Sequence, residues 1–255
     1  MYPKKTHLII FALLLAVSFT LAQQKKEYEE TFDLDRYGRV TIETYKGSIT
    51  VDTWDKDEFY FHAEVVPDTD GWNNTSPEEQ LERCEVRFNH SNDYVSLESD
   101  YKKNLFGSNT LAFVHYKIKM PKTAKLKIDD YKSETLVDGL SSYIDIESYK
   151  GIIDVINFSG ELKIDTYKGT VLVDLNELND DLEFDTYKGE IEIKLPSDTN
   201  FDFDFDLGRK GDFESDFDMV MKNYSSDDGA RGKVNGGGPE IKFSTYKGEI
   251  ELREK

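Results

Sequence analysis

Cysteine and histidine, the residues that most often form cross-links or metal centres, are scarce in this chain. Its 255 residues include one cysteine, Cys84, and four histidines. A single cysteine excludes an intramolecular disulfide and a metal site built from several cysteines. Packing of apolar side chains must therefore stabilise the fold.

Positive charge is also scarce. Lysine and arginine total 32 residues against 51 aspartates and glutamates, which gives a formal net charge of −19 at pH 7. Proteins that bind nucleic acids neutralise the phosphates with clustered lysine and arginine. We therefore expect no nucleic-acid partner, since an acidic surface is better suited to solubility or to divalent cations.

Apolar runs are missing from the sequence beyond its first twenty-odd residues. The one run, Leu8 to Val17, follows Lys4 and Lys5 and is shorter than the roughly 20 residues that a membrane-spanning helix needs. This is the form of a signal peptide, and we predict cleavage after Ala22. We expect an exported bacterial protein, periplasmic, at the cell surface or extracellular, with no transmembrane segment after signal cleavage.

A repeated Tyr-Lys-Gly tripeptide is the strongest pattern in the chain. Its copies begin at Tyr45, Tyr149, Tyr167, Tyr187 and Tyr246, and Tyr131-Lys132-Ser133 is a variant. The central copies lie 18 to 20 residues apart, a spacing typical of repeat architectures. Gly208–Gly211 and Gly229–Gly232 keep a basic residue before glycine, so we interpret both as weaker copies. On this interpretation the repeats run from about residue 126 to the C-terminus.

Apolar residues alternate on both sides of each tripeptide, which indicates β-strands. In one copy Leu162 and Ile164 precede the tripeptide, and Val171 and Val173 follow it. The phase of the alternation changes across the tripeptide, so a straight strand would expose half of its apolar side chains. We therefore predict a corner there, with Ser, Thr or Asp first and Gly fourth. Ser133 in place of glycine is expected to strain its copy slightly.

Such units must stack, because one unit buries too little apolar surface to offset the backbone entropy lost on ordering it. The predicted fold is all-β, a β-solenoid resembling a β-helix with coils of about 18 to 22 residues. The alternative is an antiparallel β-meander with the tripeptides at hairpin tips. Identical Tyr and Lys residues at equivalent positions favour the solenoid, since hairpin tips are usually free to vary.

The segment between the first two copies of the tripeptide interrupts the repeat. Phe59–Val66, Tyr94–Leu97 and Thr110–Met120 are predicted strands. Ser76 followed by Pro77 is the start signal of a helix, which we predict from Pro77 to about Val86. This excursion is expected to cap one end of the solenoid.

The chain resembles the bacterial putative-adhesin domain family of exported β-solenoid repeat proteins of unknown function. The resemblance rests on the repeats and on three further segments, Val51–Lys56, Tyr116–Pro121 and Asn235–Pro239. It implies a β-helical solenoid and supplies no catalytic residues and no cofactor. The predicted organisation is a signal peptide over 1–22, a first coil with capping strands and a short helix over 23–125, and repeats over 126–255. One adhesin-like domain would run from about 38 to 255.

The outward residues of the repeats form the candidate site, a surface ladder that could bind an envelope protein or a glycan. The alternative is that the ladder only stabilises the stacked strands. The predicted ladder consists of Tyr131, Tyr149, Tyr167, Tyr187 and Tyr246, of Lys132, Lys150, Lys168, Lys188 and Lys247, and of the acids Asp129, Glu147, Asp165 and Asp185.

A second hypothesis concerns Phe201–Asp206, where three aspartates alternate with phenylalanine on one strand and could bind calcium. No catalytic residues, no metal ligands and no cofactor are predicted. His62, His90 and His115 lie outside the repeats, and the sequence has no nucleophile elbow and no zinc-binding helix motif.

These patterns predict a non-enzymatic surface or envelope module that binds or scaffolds a partner. An envelope-stress or signalling accessory is the alternative, and a polysaccharide-active enzyme is the third class considered.

Overall fold

A computed structural model describes residues 25–70, 75–102, 110–225 and 229–255 of the chain. The predicted signal peptide lies outside these residues. The described residues form one helix and nineteen strands. The nineteen strands belong to a single continuous sheet that winds around the core.

The repeats form stacked coils, which confirms the predicted solenoid. In each coil a first strand leads through the tripeptide into a second strand, and equivalent strands of neighbouring coils pair in parallel and in register. Five coils have a separate first and second strand, which follow one another in the chain. These are β2 (Arg39–Glu43) and β3 (Lys46–Trp54), β8 (Lys125–Asp130) and β9 (Lys132–Asp138), β12 (Leu182–Thr186) and β13 (Glu190–Leu195), β14 (Phe201–Asp206) and β15 (Asp212–Ser215), and β18 (Glu240–Thr245) and β19 (Glu249–Glu254). In β10 (Ile144–Phe158) and β11 (Leu162–Leu175) the two halves form one bent strand.

The coils do not stack in the order in which the chain makes them. The last coil, β18 with β19, lies between the β12–β13 coil and the β14–β15 coil. At the other end, β6 (Tyr94–Tyr101) pairs with β2 and β7 (Phe113–Pro121) pairs with β3, so that the first coil is also covered on both sides. The segments that interrupt the repeat therefore add strands to the outer edges of the stack, β6 and β7 beside the first coil and β14 and β15 beside the last.

Antiparallel strands cover both ends of the stack. At one end β1 (Lys26–Asp33) pairs with β4 (Glu58–Val66), β4 pairs with β7, and β5 (Cys84–Ser91) pairs with β6. At the other end β17 (Gly229–Val234) lies between β14 and β16 (Met219–Ser225). Gly208–Gly211 joins β14 to β15 and is a corner, as predicted. The interpretation of Gly229–Gly232 as another corner is wrong, because these residues lie inside the antiparallel strand β17.

The helix α1 (Pro77–Arg83) begins as predicted and ends earlier. The Ser76 hydroxyl accepts a hydrogen bond from the Glu79 N–H at 3.2 Å and caps the first turn. The predicted end at Val86 is wrong, because Cys84 has an extended backbone and starts β5. Pairing of β5 with β6 takes the hydrogen-bonding groups that a longer helix would have used.

The core lies between the two halves of each coil. In β11, Leu162 and Ile164 before the corner and Val171 and Val173 after it are at most 1% exposed. The corner accounts for the change of phase between them, so both halves turn their apolar residues inward. Burial of each such side chain contributes roughly 1.5 to 3 kcal/mol.

The corner glycines are required by close packing between coils and not, with one exception, by positive φ. Only Gly47 among the tripeptide glycines has a positive φ, of 138°. At Gly248 a Cβ would lie 2.7 Å from the carbonyl oxygen of Gly189 in the next coil. Ser133 does not have a positive φ either, and its N–H and hydroxyl donate to the Asp130 carboxylate at 2.7 and 2.6 Å. Ser133 therefore shows no backbone strain of the kind predicted, and its hydrogen bonds to Asp130 hold the corner locally.

Candidate binding surface

Six corner tyrosines stack ring on ring along one edge of the solenoid. Successive ring centroids lie 4.6 to 5.2 Å apart, with interplanar angles of 2° to 10°. This separation follows from the strand spacing of about 4.8 Å, since each ring comes from the next strand of an in-register sheet. We call this row the tyrosine ladder, and its members in stacking order are Tyr45, Tyr131, Tyr149, Tyr167, Tyr187 and Tyr246.

All five predicted tyrosines belong to the ladder, and Tyr45 is a sixth member that the prediction left out. Tyr45 stacks on Tyr131 at 4.6 Å, although the whole N-terminal excursion separates them in the chain. The Tyr45-Lys46-Gly47 tripeptide is the feature of the sequence that marks this corner. The far face of Tyr45 meets the edge of Tyr101, at 6.0 Å and 67°, which ends the stack at that side.

The stacking leaves the ring edges, not the ring faces, available to a partner. Each ladder tyrosine is 38 to 41% exposed. The flat faces of an inner ring such as Tyr149 are covered by the rings on either side of it. The accessible surface is therefore a row of phenol edges that repeats at the strand spacing.

An acidic row runs beside the tyrosine ladder, two residues before each ring. Its members are in register and are Glu43, Asp129, Glu147, Asp165 and Asp185. Ser244 takes the position that follows Asp185. Between this row and the rings of Tyr131, Tyr149 and Tyr167 lies a groove of about 710 Å³.

The acidic row is strained electrostatically, because like charges that face each other across a strand pair destabilise the sheet. Burial, together with the neighbouring charge of Asp165, raises the pKa of Asp185. Lys127 relieves part of the repulsion, since its ammonium lies 2.8 Å from Glu147 and 3.3 Å from Asp129. These contacts raise the pKa of Lys127, chiefly through the hydrogen bond to Glu147.

A lysine row lies on the other side of the tyrosine ladder. It contains all five predicted lysines, together with Lys46, whose backbone is in register with that of Lys132. The Lys46 ammonium pairs with Asp68 at 2.8 Å and lies 4.1 Å from the ring centroid of Phe113. The other members, Lys132, Lys150, Lys168, Lys188 and Lys247, are exposed.

The three aspartates proposed as a calcium site each have protein partners. Asp202 accepts from Lys222 at 3.4 Å and from the Gly238 N–H at 3.2 Å. Asp204 pairs with Arg231 at 2.7 Å. Asp206 accepts from the Gly208 N–H at 3.1 Å at the start of the corner. The strand therefore uses these carboxylates to bind neighbouring segments.

The histidines of the described residues, His62, His90 and His115, lie on β4, β5 and β7, and none of them belongs to the tyrosine ladder. His90 stacks on Phe32 at 3.9 Å, and the His115 Nδ1 lies 2.8 Å from the Ser48 hydroxyl. Burial lowers the pKa of His115.

His62 groups with Glu27 and Glu64, whose nearest ligand atoms lie within 4.8 Å of one another. The Lys25 ammonium pairs with both glutamates, at 2.5 and 2.9 Å. This cluster joins β1 to β4 and was not predicted, since its members come from strands distant in sequence.

The Toastrack DUF4097 family model matches residues 109–253, which is more than half of the chain. The chain belongs to this family. The Toastrack match covers the strands from β7 onward and five of the six ladder tyrosines, whereas Tyr45 lies outside it. No curated protein matches the chain. Within the described residues, no helix has the length and apolar character needed to cross a membrane.

Several solved structures are similar to this Toastrack chain at low sequence identity. A putative cell adhesion protein from Clostridium sporogenes is 10% identical, with 90% of this chain and 100% of that chain covered and a TM-score of 0.48. A putative adhesin from Bacteroides fragilis is 11% identical, with coverages of 91% and 99% and a TM-score of 0.38. A putative lipid binding protein from Parabacteroides distasonis is 6% identical, with coverages of 89% and 97% and a TM-score of 0.29.

Proposed function

We propose that this protein is an exported, non-enzymatic binding module of the bacterial cell envelope, and that the tyrosine ladder with its flanking charged rows is the binding surface. The observation that carries the proposal is the uninterrupted stack of six tyrosines, each about two-fifths exposed. Tyrosine supplies large contact area and a hydroxyl at a small cost in side-chain entropy, and it is enriched at binding surfaces.

The rows flanking the ladder support a recognition role over a purely structural one. A third outward row lies on the first strands, two residues before the acidic row, and its charges alternate in sign from strand to strand. Such alternation is expected of a row that stabilises the sheet. Its members in stacking order are Lys127, Asp145, Lys163, Glu183, Lys242 and Asp204. The acidic row and the lysine row each keep one sign. Like charges that face each other destabilise a sheet, so a partner of opposite charge would offset a cost that these rows impose on the fold.

The export part of the proposal rests on the signal-like segment that ends near Ala22. Fractionation of cells that produce the full chain tests it, together with protease treatment of intact cells. Mature protein in the envelope fraction is expected. Recovery of unprocessed chain in the cytoplasm would contradict export.

Retention of envelope material by the immobilised protein tests the binding surface. We expect Tyr149→Ser/Tyr167→Ser to lose most of the protein or glycan that the unchanged chain retains from a bacterial envelope extract. The matched control is Tyr37→Ser/Tyr94→Ser, since these tyrosines are also exposed but lie outside the ladder. Thermal unfolding of all variants separates lost binding from lost structure. Equal retention by both double variants would reject the ladder as the binding surface.

A further inference from the structure

The lysine row is unusual in a chain with so few basic residues. The fold gathers six of the 32 lysines and arginines into one row along the corners. Backbone bonds between successive corners hold the row, as where the Lys150 N–H donates to the Tyr131 carbonyl at 3.0 Å and the Lys188 N–H to the Tyr167 carbonyl at 3.1 Å. The ammonium spacing is therefore tied to the strand spacing.

Five of the six ammonium groups are available to a ligand. Lys46 is the exception, because it is mostly buried against Asp68 and Phe113. Within the part of the chain that the structure describes, Lys132, Lys150, Lys168, Lys188 and Lys247 form no ion pair. Lys168 and Lys247 lean toward the rings of Tyr167 and Tyr246, at 5.9 and 5.5 Å from the centroids. Ammonium groups and phenol hydroxyls thus form one strip of hydrogen-bond donors.

The geometry of the ladder favours a charged ligand over a neutral one. A neutral sugar binds tyrosine mainly by packing its apolar face on the ring face, and here the faces of inner rings such as Tyr149 are covered by other rings. The exposed ring edges carry the positive end of the aromatic quadrupole. Ring edges, hydroxyls and ammonium groups all favour an anion.

The spacing and width of the strip favour a linear anion over a second copy of this chain. The lysine row lies three positions after the acidic row, so the strip is at most about 10 Å wide, and five strand spacings make it about 24 Å long. Its area is far below the roughly 800 Å² that each partner of a stable dimer buries. A single extended polymer chain can fill such a strip without a larger interface.

We infer that the lysine row binds a linear polyuronate, an acidic polysaccharide with one carboxylate on each sugar, which lies along the solenoid axis. One sugar residue is close in length to the strand spacing of about 4.8 Å, so the carboxylates on the side of the polymer that faces the solenoid recur at a small multiple of the lysine spacing. Sugar hydroxyls can donate to the ladder phenols. The acidic row lies on the far side of the tyrosine rings from the lysines, and salt weakens its repulsion of the polymer, since the Debye length is ~8 Å at physiological salt.

This inference rests on the proposed function and names the ligand class of the same surface. Its test is calorimetric titration of the full mature chain with oligogalacturonate of about five or more sugars, enough to span the free lysines. We expect binding to the unchanged protein and about tenfold weaker binding to Lys150→Gln/Lys168→Gln, since two of the five available ammonium groups are removed from the middle of the row. Lys150→Arg/Lys168→Arg should retain binding, because the charges remain.

Two controls separate the lysine row from general charge effects. Lys119→Gln/Lys125→Gln changes the net charge equally, at exposed lysines outside the row, and should bind like the unchanged protein. Methyl-esterified oligogalacturonate of the same length lacks the carboxylates and should not bind.

Three outcomes would overturn the inference. They are unchanged affinity in Lys150→Gln/Lys168→Gln, equal binding of the esterified chain, and equally tight binding of a single-stranded DNA oligomer of the same charge, whose phosphates have a different spacing. If the polyuronate fails to bind while ladder variants still lose envelope material, this ligand class is rejected and the proposed function stands.

Discussion

The carbonyl oxygen of Ser133 lies 2.1 Å from the point where a Cβ on Gly151 would stand. The two residues occupy the same position in neighbouring corners, so the chain of one coil passes over the other without space for a side chain. The same relation holds between Gly189 and Gly248, at 2.7 Å. Close approach of corner to corner therefore explains the glycine at positions 151 and 248, whereas Ser133 has room for a side chain that donates to Asp130.

Substitution of Gly151 by alanine is expected to destabilise the solenoid. The obstructing atom is backbone, which cannot move without shifting a coil, so we expect Gly151→Ala to lower the free energy of unfolding by about 1 to 3 kcal/mol. Urea denaturation measures the change. Gly236→Ala is the control, because no atom lies within 4 Å of a Cβ at that position. Equal stability of the two variants would contradict the packing explanation.

Because of the Asp130 carboxylate, we expect the free energy of unfolding to depend on pH. Burial raises its pKa above the usual value of 3.8. The folded state therefore binds this proton up to a higher pH than the unfolded state does. Protonation of Asp130 contributes its full stabilisation below pH 3.8, and this contribution is lost as the pH rises through the raised pKa. Asp130→Asn removes this loss and can still accept a hydrogen bond from the Ser133 N–H.

Denaturation of both proteins at several pH values between about 3 and 7 tests this expectation. The stability of Asp130→Asn relative to the unchanged protein should increase as the pH rises. Other carboxylates titrate in both proteins and cancel in the difference. A difference that stays constant with pH would show that the Asp130 pKa is the same in the folded and unfolded states.

The repeat unit could be predicted because its signals are local. The phase change between Ile164 and Val171 requires a corner, and the Ser76-Pro77 signal starts a helix whichever strands surround it. The end of that helix could not be predicted in this way. Cys84 leaves the helix because β6 offers a strand partner, and that partner lies later in the sequence.

The order of the coils could not be predicted either. Every coil edge presents the same backbone hydrogen-bonding groups, so nothing local in Tyr187 indicates that its neighbour is Tyr246 rather than the corner at Gly208–Gly211. The candidate site was nevertheless largely predictable, because any stacking order of in-register corners forms a ladder. The tripeptide at Tyr45 is visible in the sequence, but only the three-dimensional structure shows that Glu43, Tyr45 and Lys46 extend the three rows beyond Tyr131.

The tyrosine ladder should contribute to stability as well as to binding. Tyr167 stacks on two neighbours at 4.9 Å, so Tyr167→Ala is expected to lower the free energy of unfolding by about 1 to 2 kcal/mol. Tyr246→Ala removes one stack and should lose about half as much. Tyr37→Ala, at a ring that is 74% exposed, should change stability by less than about 0.5 kcal/mol. A Tyr167→Ala variant as stable as Tyr37→Ala would show that ring stacking does not stabilise the fold.

Cys84 is expected to be unreactive in the folded protein. Burial raises the pKa of its thiol to about 12, so the thiolate that reacts with alkylating reagents is about a thousandfold rarer at pH 8 than for an ordinary cysteine. Mass spectrometry after iodoacetamide treatment should find Cys84 unmodified under native conditions and fully modified in urea. Cys84→Ser/Asn92→Cys supplies the comparison, because position 92 is exposed in the turn between β5 and β6. Its cysteine should react at the rate of a free thiol, and if native Cys84 reacts equally fast, β5 must open from the core in solution.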